Sequence, residues 1–140
     1  MLNVLLVEDN RGDARLIREG MRISGDDVRL DVVEDGDDAI EFLRGGGRFG
    51  RVPRPHLVIL DLNLPKRDGR EVLAVIKQDP ALRKIPVIVL TTSGDASDIQ
   101  NAYDLHANCY IRKPSDLDEY LQVINRLRQF WVTTARLPAV

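Results

Sequence analysis

The sequence predicts an α/β fold, a flavodoxin-like (βα)5 doubly wound parallel five-stranded sheet, on three observations. Five short apolar, β-branched runs are each bounded by Asp, Asn, Gly or Pro. A segment of helical spacing follows each run, and the central runs are apolar throughout, as strands buried on both faces must be. Right-handed crossovers then place helices on both faces of one sheet. The 140 residues, 44% of them hydrophobic, suffice for one such domain and are too few for two ordinary ones.

The first strand is read at Asn3–Val7, and a helix at Asp13–Ile23 follows it. At 100° per residue Ala14, Leu16, Ile17, Met21 and Ile23 share one half of that helix, while Arg11, Arg15, Arg18 and Arg22 fall within about a 60° arc opposite. This stripe is a solvated face or a docking surface for an acidic partner. The second unit pairs Val28–Val33 with a helix at Gly36–Arg44. The glycine- and proline-rich stretch Gly45–Pro55 reads as a mobile surface loop, without phosphate-loop spacing. Then come His56–Leu60 with Gly69–Gln78, Pro86–Leu90 with Ala96–Leu105, and Asn108–Ile111 with a last helix at Leu117–Trp131. On that last helix Leu117, Tyr120, Leu121, Ile124, Leu127 and Trp131 form an inward stripe, leaving Val123 and Phe130 as surplus apolar groups. The domain is thus expected over residues 1–131, with 132–140 a tail that is either a dimerisation arm or a frayed terminus.

Composition narrows the function classes. Lys and Arg number 20 against 22 Asp and Glu, a formal net charge of −2, so no general attraction to nucleic acid is expected. Four-residue apolar runs such as Val4–Val7 and Leu57–Leu60 fall far short of the roughly 20 residues that span a bilayer, so no membrane association is expected. No secretory signal pattern opens the chain, and the single Cys109 cannot form an internal disulfide; a soluble protein of the reducing cytoplasm is the expectation. Cys109 reads as a small buried thiol, and His56 and His106 as isolated structural residues.

The chemistry lies at the strand ends. The first strand runs into Glu8-Asp9 and the third into Asp61, and in a parallel sheet these carboxylates emerge at one edge, near the point where strand order reverses. A Glu-Asp pair after a strand also serves as turn or helix-cap chemistry. Three converging acids, however, repel one another unless neutralised, and a hard divalent cation with oxygen ligands, Mg²⁺ or Mn²⁺, is the usual remedy. One Asp is then left to act as nucleophile. The fourth strand brings Thr91 to the same edge and the fifth brings Lys113, a hydroxyl and an ammonium suited to phosphoryl oxygens.

Val7-Glu8-Asp9, Leu60-Asp61-Leu62-Asn63-Leu64-Pro65 with Asp68-Gly69, Leu90-Thr91-Thr92-Ser93, and Tyr110 three residues before Lys113-Pro114 together resemble the CheY-like response-regulator receiver domains, from residue 2 to about 131. The resemblance implies that Asp61 is the phosphoacceptor and Asp9 a direct metal ligand. It implies that Glu8 acts on the metal through water and that the Asn63 backbone carbonyl is a further ligand. Thr91 and Lys113 would hold phosphoryl oxygens, Thr91 and Tyr110 would form the switch, and Asn63 and Ser93 would tune dephosphorylation. Pro65 and Gly69 would shape the loop after the phosphoacceptor, and the Lys113–Pro114 bond is expected to be cis. Asn10–Leu16, Leu105–Leu117 and Phe130-Trp131 further resemble single-domain regulators paired with phytochrome-type histidine kinases.

These resemblances imply a stand-alone response regulator of a two-component phosphorelay. It would take a phosphoryl group from a sensor histidine kinase, of phytochrome type or another, and catalyse its own modification without turning over external substrates. Output would pass to a downstream phosphotransfer or effector protein, or through a homodimer with contacts at Val123, Phe130 and Trp131. The new phosphoryl oxygens would draw Thr91 inward and let Tyr110 turn toward the core. A haloacid-dehalogenase-type hydrolase also uses a strand-end Asp, but its acid/base Asp two residues on is Asn63 here. A pseudo-receiver would lack an acid or the lysine, and Glu8, Asp9, Asp61 and Lys113 are all present.

Overall fold

The computed structural model describes residues 2–22 and 28–140. Its five strands are β1 (Leu2–Val7), β2 (Val28–Val33), β3 (Leu57–Leu60), β4 (Val87–Thr91) and β5 (Cys109–Arg112), all parallel in the order β2-β1-β3-β4-β5. The helices are α1 (Arg11–Arg22), α2 (Gly36–Arg44), α3 (Gly69–Gln78), α4 (Ala96–Asp104) and α5 (Leu117–Leu127). This is the doubly wound arrangement expected. Strand order reverses between β1 and β3, so the crevice beyond their carboxyl ends is where a site can form.

Alternation along the strands divides the core into two layers. Leu5, Val7, Val58, Leu60, Val87 and Val89 face α2, α3 and α4, meeting Leu43, Leu73 and Ile76. Val4, Leu6, Leu57, Ile59, Ile88 and Leu90 face α1 and α5, meeting Ile17, Met21 and Ile124. Side chains so enclosed contribute roughly 1.5–3 kcal/mol each by leaving water. On the second face the helices touch, since a Cβ at Gly20 would lie 2.3 Å from Ile124 Cγ2.

Short polar side chains start the helices. Asn10 accepts from Asp13 N at 3.0 Å, Asp35 from Asp38 N at 2.7 Å, Asp68 from Arg70 N at 2.8 Å and Asp116 from Glu119 N at 3.0 Å. The Asn10 cap explains why α1 begins at Arg11, two residues before the expected start at Asp13. The expected end of that helix at Ile23 lies outside the described residues. His56 precedes β3 and accepts from Asn3 N through Nδ1 at 3.0 Å, the isolated structural role expected.

Several expectations are corrected. The stretch read as a mobile loop is anchored: its 3₁₀ turn Gly47–Phe49 sets the Phe49 ring 5.1 Å from Phe42, with Arg48 stacked over Phe49 and paired to Asp38 at 2.7 Å. No cis peptide occurs among the described residues, so Lys113–Pro114 is trans, the form an X–Pro bond prefers by about 0.5–1 kcal/mol. Lys113 N donates to Thr91 O at 2.7 Å in that geometry, so the strand end is satisfied without the other isomer. The inward stripe of α5 is narrower than expected: Tyr120, Ile124 and Leu127 are buried, but Leu117 and Leu121 are 56% and 40% exposed. One helix face can press on the sheet, and the i, i+4, i+7 row fills it.

Beyond Leu127 the backbone widens into a π-helical segment, Arg128–Thr134, instead of continuing as α-helix to Trp131. Val123 and Trp131 pack partly against the core, as do Val132 and Leu137 from the tail, whereas Phe130 is 53% exposed. The arginine stripe of α1 points outward, with Arg11 near Glu34 and Arg15 near Glu19.

Gly69 opens α3 directly against β3, where a Cβ would fall 2.3 Å from Asp61 O and 2.6 Å from Leu62 Cα. Only backbone stands there, so nothing flexible can yield. Gly69→Ala is expected to lower unfolding stability by about 1–3 kcal/mol, read as a shifted urea midpoint at unchanged slope.

Candidate functional site

The four buried polar groups of the crevice come from four strand ends. Glu8 follows β1, Asp61 follows β3, Thr91 closes β4 and Lys113 follows β5. The parallel register of β1, β3, β4 and β5 brings their carboxyl ends to one edge, so the sheet that the apolar core orders also aligns these side chains. Lys113 Nζ donates to Glu8 Oε1 at 2.5 Å and to Asp61 Oδ2 at 2.9 Å. Thr91 Oγ1 donates to Asp61 Oδ1 at 2.8 Å, and Asn63 N reaches the same oxygen at 3.2 Å.

Burial raises the Glu8 carboxyl to about 7, because desolvation and the Asp61 charge outweigh the help of Lys113. Burial pushes Asp61 the same way, but hydrogen bonds and charge from Lys113 and the Thr91 hydroxyl hold it below the ordinary aspartate value. Lys113 is opposed by its own burial and is nevertheless held above the usual lysine range by Asp13, Glu8 and Asp61.

Asp9 is exposed at the lip of the crevice. Carboxylate oxygens of Glu8, Asp9 and Asp61 all lie within 4.8 Å of one another. An all-oxygen donor set with one solvent-facing member and a surplus of negative charge fits a hard divalent cation that keeps part of its water shell.

A second polar chain borders the site. Tyr110 Oη donates to Ser93 O at 2.8 Å, and Ser93 Oγ donates to Asp98 Oδ2 at 2.5 Å. Arg70, at the start of α3, reaches Asp98 Oδ1 at 2.9 Å and grips its own cap Asp68 at 3.2 Å. The Thr91 hydroxyl stands at Asp61, and Tyr110 packs partly against the core. Pro65 O accepts from Gly36 N at 3.4 Å and Arg67 N at 2.7 Å, tying the loop after Asp61 to α2. Cys109 is half-buried, and that burial raises its thiol pKa.

One member of the site escaped the sequence reading. Asp13, in the first turn of α1, accepts from Lys113 Nζ at 2.8 Å. The signal available was an acid four residues beyond Asp9, but acids in a first helical turn are common for dipole reasons and do not stand out.

The sign of the Glu8 shift yields a measurable pH dependence. A carboxyl whose ordinary value of 4.5 is raised to about 7 on folding favours the folded state below the lower value, and that contribution is lost as pH rises through the upper one. Asp61 acts oppositely but only in acid below its ordinary 3.8. Urea midpoints in chelator should therefore fall from about pH 5 to pH 8, and Glu8→Gln should flatten the slope.

Residues 4–125 match the response regulator receiver domain family. The response regulator Rcp1 of Synechocystis sp. is 47% identical over 97% of this chain and 92% of that protein. The crystal structure of the Mn²⁺-bound form of Rcp1 superposes with a TM-score of 0.97 at 46% identity, covering 99% of this chain and all of that one. The phosphorylated cyanobacterial phytochrome response regulator RcpA superposes with a TM-score of 0.96 at 48% identity, covering 99% of each chain. With the fold, the acidic crevice and the family's span in agreement, this chain belongs to the response regulator receiver domains of two-component signalling.

Proposed function

We propose that Asp61 accepts a phosphoryl group from a sensor histidine kinase of phytochrome type, with Mg²⁺ or Mn²⁺ bound by Asp9, Asp61, the Asn63 carbonyl and, through water, Glu8. The observation that carries this reading is the convergence of Thr91 and Lys113 on the two oxygens of one buried carboxylate, Asp61. The resemblance of the chain to RcpA and Rcp1 supports the choice of kinase class.

In the transfer an Asp61 oxygen attacks phosphorus in line, the P–N bond to the donor imidazole breaks, and the leaving nitrogen keeps its electron pair. Held by Asp9, Asp61 and the Asn63 carbonyl, a divalent cation would supply positive charge to offset that of the transferred group. Lys113 adds a second positive charge and Thr91 a hydroxyl donor, both within reach of Asp61 before any donor binds. Their low-dielectric surroundings strengthen both contacts. Water removes the group later by the reverse approach, with Asn63 and Ser93 at the rim to tune access. The domain so catalyses its own modification, taking the group from its donor, and turns over no further external substrate. The Thr91 and Tyr110 pair carries the change to the face of α4, β5 and α5, for a downstream phosphotransfer or effector protein. The setting is the cytoplasm, and the receiver unit is taken as residues 1–131.

Intact mass after incubation with Mg²⁺ and a small acyl phosphate tests the reading. One added phosphoryl group is expected in the wild type alone, absent in Asp61→Asn and absent when the metal is chelated.

The same reading includes a homodimer. Phe130 projects from a cavity of about 520 Å³ that Val123 and Trp131 also line, and Leu117 and Leu121 add exposed apolar surface on α5. Sedimentation velocity should find the wild type dimeric and Phe130→Asp shifted to monomer, with its thermal midpoint nearly unchanged because the ring contributes little to the monomer core.

A further inference from the structure

Lys113 is shared by three carboxylates, and they are not equivalent. Glu8 and Asp61 belong, with Asp9, to the cluster whose oxygens lie within 4.8 Å of one another. Asp13 takes the same ammonium at 2.8 Å but stands outside that cluster, on the α1 side of the lysine. We propose that Asp13 is a positioning residue of the phosphoryl-transfer site, carrying the Lys113 ammonium whenever a divalent cation occupies the pocket of Glu8, Asp9 and Asp61.

This rests on the cation pocket described above. With the charge of Glu8 and Asp61 engaged by a cation, these two carboxylates compensate the buried ammonium less, and like charges on lysine and metal repel. Asp13 keeps its full charge for Lys113. Its placement suits that role, because Asp13 N is fixed to Asn10 Oδ1 at 3.0 Å and the first turn of α1 so holds the side chain, itself 22% exposed, in place. Room for adjustment exists as well. Asp13 and Lys113 line a cavity of about 750 Å³ together with Tyr120, whose buried hydroxyl has no partner among the described residues. Asp13 and this cavity thus lie apart from the cluster of Glu8, Asp9 and Asp61, none of which lines it.

An acid at this position also complements the helix dipole, but that role needs no contact with Lys113 and predicts no coupling between the two residues. A double-mutant cycle on Mg²⁺ affinity separates the two roles, using calorimetric titration of wild type, Asp13→Asn, Lys113→Met and the double variant. Asp13→Asn is expected to weaken Mg²⁺ binding about tenfold when Lys113 is present and less than about twofold in the Lys113→Met background. An equal loss in both backgrounds would mean that Asp13 acts on the cation by its charge alone and would overturn the proposal, as would no loss in either. Should Lys113→Met not fold, proton exchange of the Lys113 ammonium decides the same question by NMR. It should be slow in the Mg²⁺-loaded wild type and fast in Asp13→Asn, and equal rates would overturn the proposal. A wild type with no Mg²⁺ affinity would overturn the cation pocket itself, and this inference with it.

Discussion

The ammonium of Lys113 is the contact on which the rest of the site depends. It binds carboxylates from the end of β1, the end of β3 and the first turn of α1, up to 105 residues away from it in the chain. Removing one partner of a buried ion group typically costs about 3–5 kcal/mol because the other charges stay behind. Yet the group is not neutral. Counting Asp9 at the rim, four carboxylates gather around one ammonium, and burial, with the Asp61 charge behind it, raises the Glu8 carboxyl. The cluster is stable enough to order the strand ends and unbalanced enough to favour a cation.

From this centre two routes reach the surface. Thr91 and Asp61 form one, since the hydroxyl at the end of β4 donates to an Asp61 oxygen. The other passes through Tyr110, Ser93, Asp98 and Arg70, binding β5, the loop before α4 and the start of α3 into one polar chain. The two meet in the three residues from Thr91 to Ser93. A change at the carboxylate therefore acts on a short segment whose far end is already tied to two helices, which is how a local charge event gains a wider reach.

How much of this was legible in the sequence depended on the kind of signal. Strand-end residues were legible because each apolar run breaks off at polar residues and parallel strands share one carboxyl edge, and Glu8, Asp61, Thr91 and Lys113 were placed from that. Asp13 was not, because its partner lies 100 residues away and helix periodicity says nothing about which strand end a first turn faces. Leu117 and Leu121 were assigned inward on apolarity, but the width of the α5 contact is a tertiary quantity. The anchoring of the glycine-rich stretch rests on Phe49 finding Phe42, again a contact between elements. Lys113–Pro114 shows the limit of resemblance: the residues match the pattern, while the bond between them is trans.

The π-helical turn after α5 has a consequence for the geometry of the carboxyl-terminal arm. A π turn accommodates residues beyond the α-helical count, so over Arg128–Thr134 the winding of the backbone contributes to the angular relation between α5 and the arm. At 3.6 residues per turn one residue corresponds to about 100° of rotation. The segment works as a phase adjuster: it determines that Trp131 lies against the sheet while its neighbour Phe130 looks outward, the rings meeting edge to face at 5.2 Å. The direction in which this protein presents its aromatic surface is thus encoded in chain length between Leu127 and Ala135, and a change of one residue there would re-aim it without altering any apolar side chain.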